Sequence, residues 1–257
     1  MKLQLILAYD GGRYCGWQSQ KTGNSVQETL TAAASELYGK QCLVTGCSRT
    51  DSGVHARSYS CTVEFADLNN NIGDGGICDV IPPASVPRAL NAHLPGDIAV
   101  SLAKAVSDDF HPRYDVRSKT YEYVMYDTPE RSPFYCGRAH HIRALDEDML
   151  SRMSKAADAM TGKRDFAVFM ASGSKIKDTV REVYECAVRR EGMLVIFRVS
   201  ADGFLYKMVR TMAGTALAAA YGRIDPDRIG DIISSGDRSS VGATLPAEGL
   251  YLCEVNY

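Results

Sequence analysis

The chain has 257 residues, 45% of them hydrophobic and 23% charged, with a formal net charge of −2. That composition suits a globular protein able to bury a core in one large domain or two of ordinary size. No run approaches the ~20 uninterrupted apolar residues of a membrane helix, and the opening MKLQLILAYDGG lacks the apolar length and small-residue cleavage site of a signal peptide; the expectation is a cytoplasmic protein with no membrane partner.

Lys2 to Tyr9 alternates as a strand with Leu3, Leu5, Leu7 and Tyr9 on one face. Ser25-x-x-Glu28 is a capping box, and Val26, Leu30, Ala33 and Leu37 follow at helical spacing. Strands over 43–48 and 58–65 bracket a polar turn, Arg49-Thr50-Asp51-Ser52-Gly53-Val54-His55. Residues 67–80, rich in Asn, Gly and Asp, read as an exposed insertion. A short helix capped by Ser85, with Pro87 in its first turn, precedes a strand from Ile98 to Ala105.

A second half starts near Ser107, dividing the chain into 1–107 and 108–257. Tyr121 to Tyr126 alternates as a strand, and Glu147 to Met160 forms a helix with Leu150, Met153 and Ala157 inward. Thr179 to Arg189 and Met193 to Ala201 form a hairpin around Glu191-Gly192. A long helix is expected from about Phe204 to Tyr221, with Arg210 on the face of Tyr206 and Ala213. Asp225-Pro226 opens a shorter helix, and Gly249 to Asn256 closes as a strand. Strands interleaved with helices in each half give an α+β class, with sheets covered on one face.

Eight cysteines show no CxxC pair and no companion histidines at zinc spacing; they read as reduced apolar fillers. His140-His141 reads as a solvated or RNA-facing pair. No metal is expected. Residues 62–109 hold seven acids and two bases, so the rest of the chain is mildly basic, with arginines and lysines gathered near the motifs. Such a distribution fits modest, salt-sensitive binding of a polyanion.

The Asp51 turn is the candidate site. A carboxylate beside an arginine, hydroxyls and a glycine, held between two strands, is one way a scaffold presents a reacting group; Asp-Ser-Gly is also ordinary turn chemistry. Arg49 to Ala56 resembles the catalytic motif of the tRNA pseudouridine synthase A family. Tyr9-Asp10-Gly11, Cys15 to Gln18, Ser25 to Glu28, Phe110 to Tyr114 with Lys119 to Tyr123, Phe204 to Arg210, and Ala247 to Leu252 resemble its other blocks, in family order.

The resemblance implies two similar halves, each a mostly antiparallel sheet with helices on one face, joined around a central catalytic cleft. It implies an isomerase that converts tRNA uridine to pseudouridine at positions 38, 39 and 40 of the anticodon stem-loop, or, as in some relatives, at other tRNA uridines, without a cofactor and as a homodimer. Residue by residue it makes Asp51 the nucleophile, Arg210 its cationic partner and Tyr121 the ring that stacks on the uracil. Arg49 becomes the side chain that enters the RNA stack. Phe110, His111, Pro112, Arg113 and Tyr114, and Lys177, Asp178, Thr179, Val180 and Arg181, become RNA contacts. His55 is given only a loop-stabilising hydrogen bond. A glycosidase would show two carboxylates where one stands out. A non-catalytic RNA-binding module would lack the combination of Asp51, Tyr121 and Arg210.

Overall fold

A computed structural model describes residues 2–21, 23–65, 81–174 and 176–257. The insertion expected at 67–80 lies outside the described residues. The chain divides into two compact units. The first comprises Met1–Val116 with Leu252–Val255 and Tyr257, and the second Arg117–Tyr251 with Asn256.

In the first unit, β1 (Lys2–Tyr9), α1 (Val26–Tyr38), β2 (Cys42–Gly46), β3 (His55–Phe65), α2 (Val86–Asn91) and β4 (Ile98–Val106) follow in order. β1 lies between β3 and β4, both antiparallel to it, with Leu5 opposite Cys61 and Ala103. β2 adds to β3 with Val44 opposite Val63. The alternation of β1 puts Leu3, Leu5, Leu7 and Tyr9 in the core beside Val26, Leu30, Val86 and Leu90. α1 starts where the sequence marks it. Ser25 accepts from the Glu28 amide while Glu28 reaches back to the Ser25 amide, so two orphan donors of the first turn are satisfied. Ser85 does not cap α2, because its backbone is already helical and its hydroxyl makes no cap bond. A 3-10 turn at Pro83–Ser85 leads into the helix instead.

The second unit contains β5 (Ser118–Tyr126), β6 (His140–His141), α3 (Glu147–Asp158), β7 (Gly162–Asp165), β8 (Val180–Glu191), β9 (Leu194–Ala201), α4 (Met208–Ala220) and α5 (Ile229–Ser235). β5, β9, β8 and β7 are neighbours in that order and antiparallel, and β6 adds to β5 in parallel. The hairpin turns at Gly192, whose φ of 60° is left-handed. Val195, Phe197, Val199 and Ala201 of β9 are buried with Met153, Ala156 and Ala157 of α3; Leu150, expected inward, is only half-buried. β10 (Leu250–Asn256) closes the chain.

α4 corrects the sequence reading most. It begins at Met208, four residues late, because Lys207 has φ 58° and ψ 12°, a left-handed conformation that interrupts the helical ladder. Tyr206 therefore shares no helical face with Arg210. Its ring is exposed, with Lys207 Nζ 5.0 Å from the centroid. α4 is buried over most of its circumference, Val209, Met212, Ala213, Ala216 and Ala220 included.

Two further expectations change. His140 and His141 are half-buried, not solvated: the ring of His141 stacks on Tyr126 at 4.7 Å and its Nε2 lies 2.8 Å from the Thr128 carbonyl. Burial holds the His140 imidazole below the usual histidine range. Cys42, Cys47, Cys61 and Cys186 are buried thiols as expected, whereas Cys136 is exposed.

Candidate active site and RNA-contact segments

The loop between β2 and β3 carries Asp51, and its shape is imposed from below by three aromatic rings. Trp17 stacks on Tyr59 with centroids 4.0 Å apart, and Tyr9 lies 5.7 Å from Tyr59. All three are buried. Each then holds the loop by a polar atom. The Tyr59 hydroxyl donates to the Ser48 carbonyl and accepts from the Ser48 amide at 3.3 Å. The Trp17 amide donates to the Thr50 carbonyl at 3.3 Å, and the Tyr9 and Thr50 hydroxyls are 3.0 Å apart. Burial is what pushes the Tyr59 phenol up, so it stays a neutral donor.

The far side of the loop is tied to the segment after β1. The Tyr14 carbonyl accepts from the Gly53 amide at 3.4 Å and from the Ser52 hydroxyl at 3.1 Å. The Val54 amide donates to the Asp51 carbonyl at 3.1 Å, which closes the turn. Two glycines make this approach feasible. A Cβ on Gly11 would stand 2.0 Å from the Val54 carbonyl oxygen, and one on Gly16, whose φ is +102°, would stand 2.4 Å from that of Thr50. His55 is buried, with Nδ1 3.0 Å from the Gly11 amide that donates to it and 3.1 Å from Asp10 Oδ1. This is the loop-stabilising hydrogen bond expected of it. Asp51 ends up half-buried and Arg49 exposed at the loop surface. A carboxylate on a loop held at this many points can meet a substrate without the entropy of ordering a free turn.

In the second unit, Tyr121 and Arg210 are each set by local packing. Tyr121 is 6% exposed and meets the ring of Phe204 edge-on at 5.0 Å. Arg210 lies in the first turn of α4, and its Nε donates to the Leu245 carbonyl at 2.7 Å. The Leu245 amide in turn donates to the Arg210 carbonyl at 3.3 Å. Residues 242–246 run close along the helix. The Thr211 and Thr244 hydroxyls are 2.8 Å apart, the Gly242 amide donates to Thr215 Oγ1 at 2.9 Å, and a Cβ on Gly214 would stand 1.9 Å from the Ala243 carbonyl oxygen. The arginine stem is thereby oriented by backbone, not by chance rotamer.

The two sequence-flagged segments differ in how they are built. In 110–114, Phe110 packs on Tyr257 at 4.9 Å and Pro112 is buried. His111 Nδ1 accepts from the amides of Arg113 at 3.1 Å and Tyr114 at 3.2 Å. The outcome is a tight turn that displays Arg113 and Tyr114, the latter 76% exposed. In 177–181, Lys177 and Asp178 are exposed and Thr179 half-buried, and Val180 is exposed where β8 begins. The Asp178 carboxylate accepts from the Val180 amide at 3.1 Å. Arg181 is folded back, with a guanidinium nitrogen 2.5 Å from the Val180 carbonyl and its stem beside Gly203.

Among the described residues no group of three or more His, Cys, Asp or Glu side chains is placed to hold a metal ion, and no helix is long and apolar enough to cross a membrane. What sequence reasoning missed is the support. Trp17, the lone tryptophan of the chain, and Tyr59 were visible as aromatics at strand and turn positions. Their stacking under the loop joins residues far apart in sequence, which no local pattern reveals.

Comparison with known proteins follows the same segments. A family model described as tRNA pseudouridine synthase matches residues 5–115 and 156–257. A tRNA pseudouridine synthase A from Ruminiclostridium cellulolyticum is 39% identical over 258 residues, covering 100% of this chain and 99% of its own. Proteins of the same name from Acetivibrio thermocellus and Clostridium acetobutylicum are 39% and 38% identical, each match covering 99% of both chains. A solved structure of a Cbf5–Nop10–Gar1 complex has a chain that aligns with TM-score 0.38 and 13% identity, over 97% of this chain and 48% of that one.

Proposed function

The chain belongs to the tRNA pseudouridine synthase A family, and from that premise we propose that Asp51 is the nucleophile of its uridine isomerisation. The reaction breaks the bond between the ribose carbon and uracil N1, turns the base, and rejoins it through ring carbon C5. The C5 proton leaves and N1 gains one, so atoms balance without an oxidant or a cofactor. The protein must supply a nucleophile, hold the detached base, and draw the uridine out of the RNA stack.

The observation that carries this reading is the loop around Asp51. It is the segment that resembles the family's catalytic motif, and it is held by Tyr9, Tyr14, Trp17 and Tyr59. Arg210 acts as the cationic partner of the Asp51 carboxylate, its planar guanidinium suited to a paired hydrogen bond with a carboxylate. Tyr121 stacks on the uracil; aromatic stacking contributes about 1–3 kcal/mol per base. Arg49, exposed on the loop, replaces the departing base in the stack with its planar guanidinium. The 110–114 and 177–181 segments bind tRNA beyond the uridine. The N-terminal half, 1–107, thus contributes the nucleophile, and the C-terminal half, 108–257, the stacking ring and the arginine.

The favoured targets are uridines 38, 39 and 40 of the anticodon stem-loop, the working unit is a homodimer, and the compartment is the cytoplasm. Resemblance to the family supports the first two, and the net charge of −2 favours the dimer independently, because two copies present a longer basic track than one. Mapping pseudouridine in tRNA from cells with and without the gene tests the assignment. Loss of the modification confined to positions 38–40 supports it, and loss at other uridines with those three retained overturns the site choice.

A further inference from the structure

One tyrosine at the far end of the sequence connects the first sheet to the turn that displays Arg113 and Tyr114. The Tyr257 hydroxyl lies 2.9 Å from the Pro112 carbonyl and 2.7 Å from Ser60 Oγ, while Gln4 Nε2 donates to the same Ser60 oxygen at 2.8 Å. A phenol has one proton, and a carbonyl can only accept. The Tyr257 proton is therefore shared between the Pro112 carbonyl and Ser60 Oγ, both within its donating reach, while Gln4 gives an amide proton to the same Ser60 oxygen. The chain of bonds joins β1 through β3 to the turn.

Its members are in place before any ligand arrives. Gln4 is 2% exposed and Ser60 0%, so neither can exchange its partner for water without opening the sheet, and a buried polar group left unpaired is costly. The Tyr257 ring packs on Phe110 at 4.9 Å, which leaves the hydroxyl as the polar tip of a largely apolar contact. Burial pushes the Tyr257 phenol well up, with the Ser60 and Gln4 bonds opposing only in part, so it remains a neutral donor throughout the working range. Lys2, two residues before Gln4 and on the same face of β1, adds a second tie. Its ammonium donates to the Asp108 carbonyl at 3.1 Å and pairs with Glu64 at 3.0 Å.

We infer that Tyr257 is a positioning residue for RNA binding: its hydroxyl, fixed through Ser60 and Gln4, holds the 110–114 turn in the conformation that presents Arg113 and Tyr114 to the tRNA backbone and bases. The inference rests on the proposed RNA-contact role of that turn. It concerns the preorganisation of the turn, which lowers the ordering cost of binding, and leaves the chemical step to other residues.

Tyr257→Phe keeps the ring on Phe110 and removes only the hydroxyl. In steady-state turnover of full-length tRNA the expected result is a KM raised about fivefold with kcat changed less than twofold, and faster amide exchange confined to 108–116 in the free protein. Ser60→Ala, which breaks the chain one link earlier, should produce the same split. An Arg113→Ala/Tyr114→Ala double variant should raise KM by at least as much, and adding Tyr257→Phe to it should add less than twofold. If the double variant raises KM while Tyr257→Phe and Ser60→Ala do not, the positioning role is overturned and the RNA-contact role stands. If the double variant leaves KM unchanged, both fall. A Tyr257→Phe protein that loses kcat and KM together, with exchange raised throughout the first unit, overturns the inference in favour of a general structural role.

Discussion

The indole of Trp17 lies on the ring of Tyr59 with centroids 4.0 Å and planes 23° apart, and each residue also holds the backbone leading to Asp51, Trp17 at Thr50 and Tyr59 at Ser48. Stacked rings whose residues also donate to the loop, Tyr59 from its hydroxyl and Trp17 from its backbone amide, give the loop a firm floor. The floor is closed at its edge by Gly46, the last residue of β2.

Gly46 admits no side chain at that edge. A Cβ there would stand 2.2 Å from the Tyr59 hydroxyl and 2.4 Å from Trp17 Nε1. Neither ring can swing away without losing the other. Gly46→Ala should therefore destabilise the fold by about 1–3 kcal/mol, the usual range for overpacking, and reduce turnover by displacing the loop. Urea unfolding followed by tryptophan fluorescence checks this, and an unchanged midpoint would show that the platform yields.

Arg210→Lys should not be tolerated. The Nε of Arg210 is engaged with the Leu245 carbonyl at 2.7 Å, so the carboxylate pairing that the family resemblance implies falls to the terminal nitrogens. A guanidinium can serve both at once, whereas an ammonium is a point charge on a looser stem. A charge-assisted hydrogen bond of about 1.5–3 kcal/mol corresponds to a loss of roughly 10- to 100-fold in turnover, with circular dichroism unchanged. Full activity in the lysine variant would remove the pairing from the account.

Tyr14 should make the fold sensitive to alkali. Burial first, then its 2.6 Å hydrogen bond to Asp97, pushes the phenol up to about 12. The neutral form is favoured more strongly in the folded chain than in the unfolded one, where a tyrosine titrates near 10. The folded state thus holds the proton when the unfolded state has released it. This contribution is complete below about pH 10 and is lost as pH rises toward 12. Comparing the pH dependence of the urea midpoint for Tyr14→Phe and the parent chain isolates it. An identical alkaline slope in both would assign the loss elsewhere.

A two-fold dimer should be visible by sedimentation at micromolar concentration. The chain's slight negative charge argues that one copy alone grips a large polyanion poorly. A monomer that modifies full-length tRNA at the parent rate, at concentrations where no dimer sediments, would contradict the proposed working unit.

Much of the scaffold was legible because its signals are local. The alternation of Leu3, Leu5 and Leu7 placed β1 and its buried face, and Ser25 with Glu28 marked the start of α1. The Glu191-Gly192 turn marked the hairpin. The motif around Asp51 was legible as a pattern of residue types, but its support was not, since Tyr9, Trp17 and Tyr59 come together only when the sheet forms. Lys207 hid the true start of α4, because nothing in Phe204 to Arg210 tells of a left-handed lysine. His140 and His141 read as polar, yet β5 offered an aromatic neighbour to each, Tyr123 at 6.4 Å and Tyr126 at 4.7 Å.

Release of tritium from C5-labelled uridine in tRNA reports on the nucleophile itself, because the C5 proton leaves only when the base is rejoined. Asp51→Asn keeps the size of the side chain and removes its anionic character. The variant is expected to fold as the parent does, bind tRNA with an affinity within a fewfold of it, and release tritium at least about a thousandfold more slowly. Release near the parent rate by an Asn variant shown by mass to be free of deamidation would contradict Asp51 as the nucleophile.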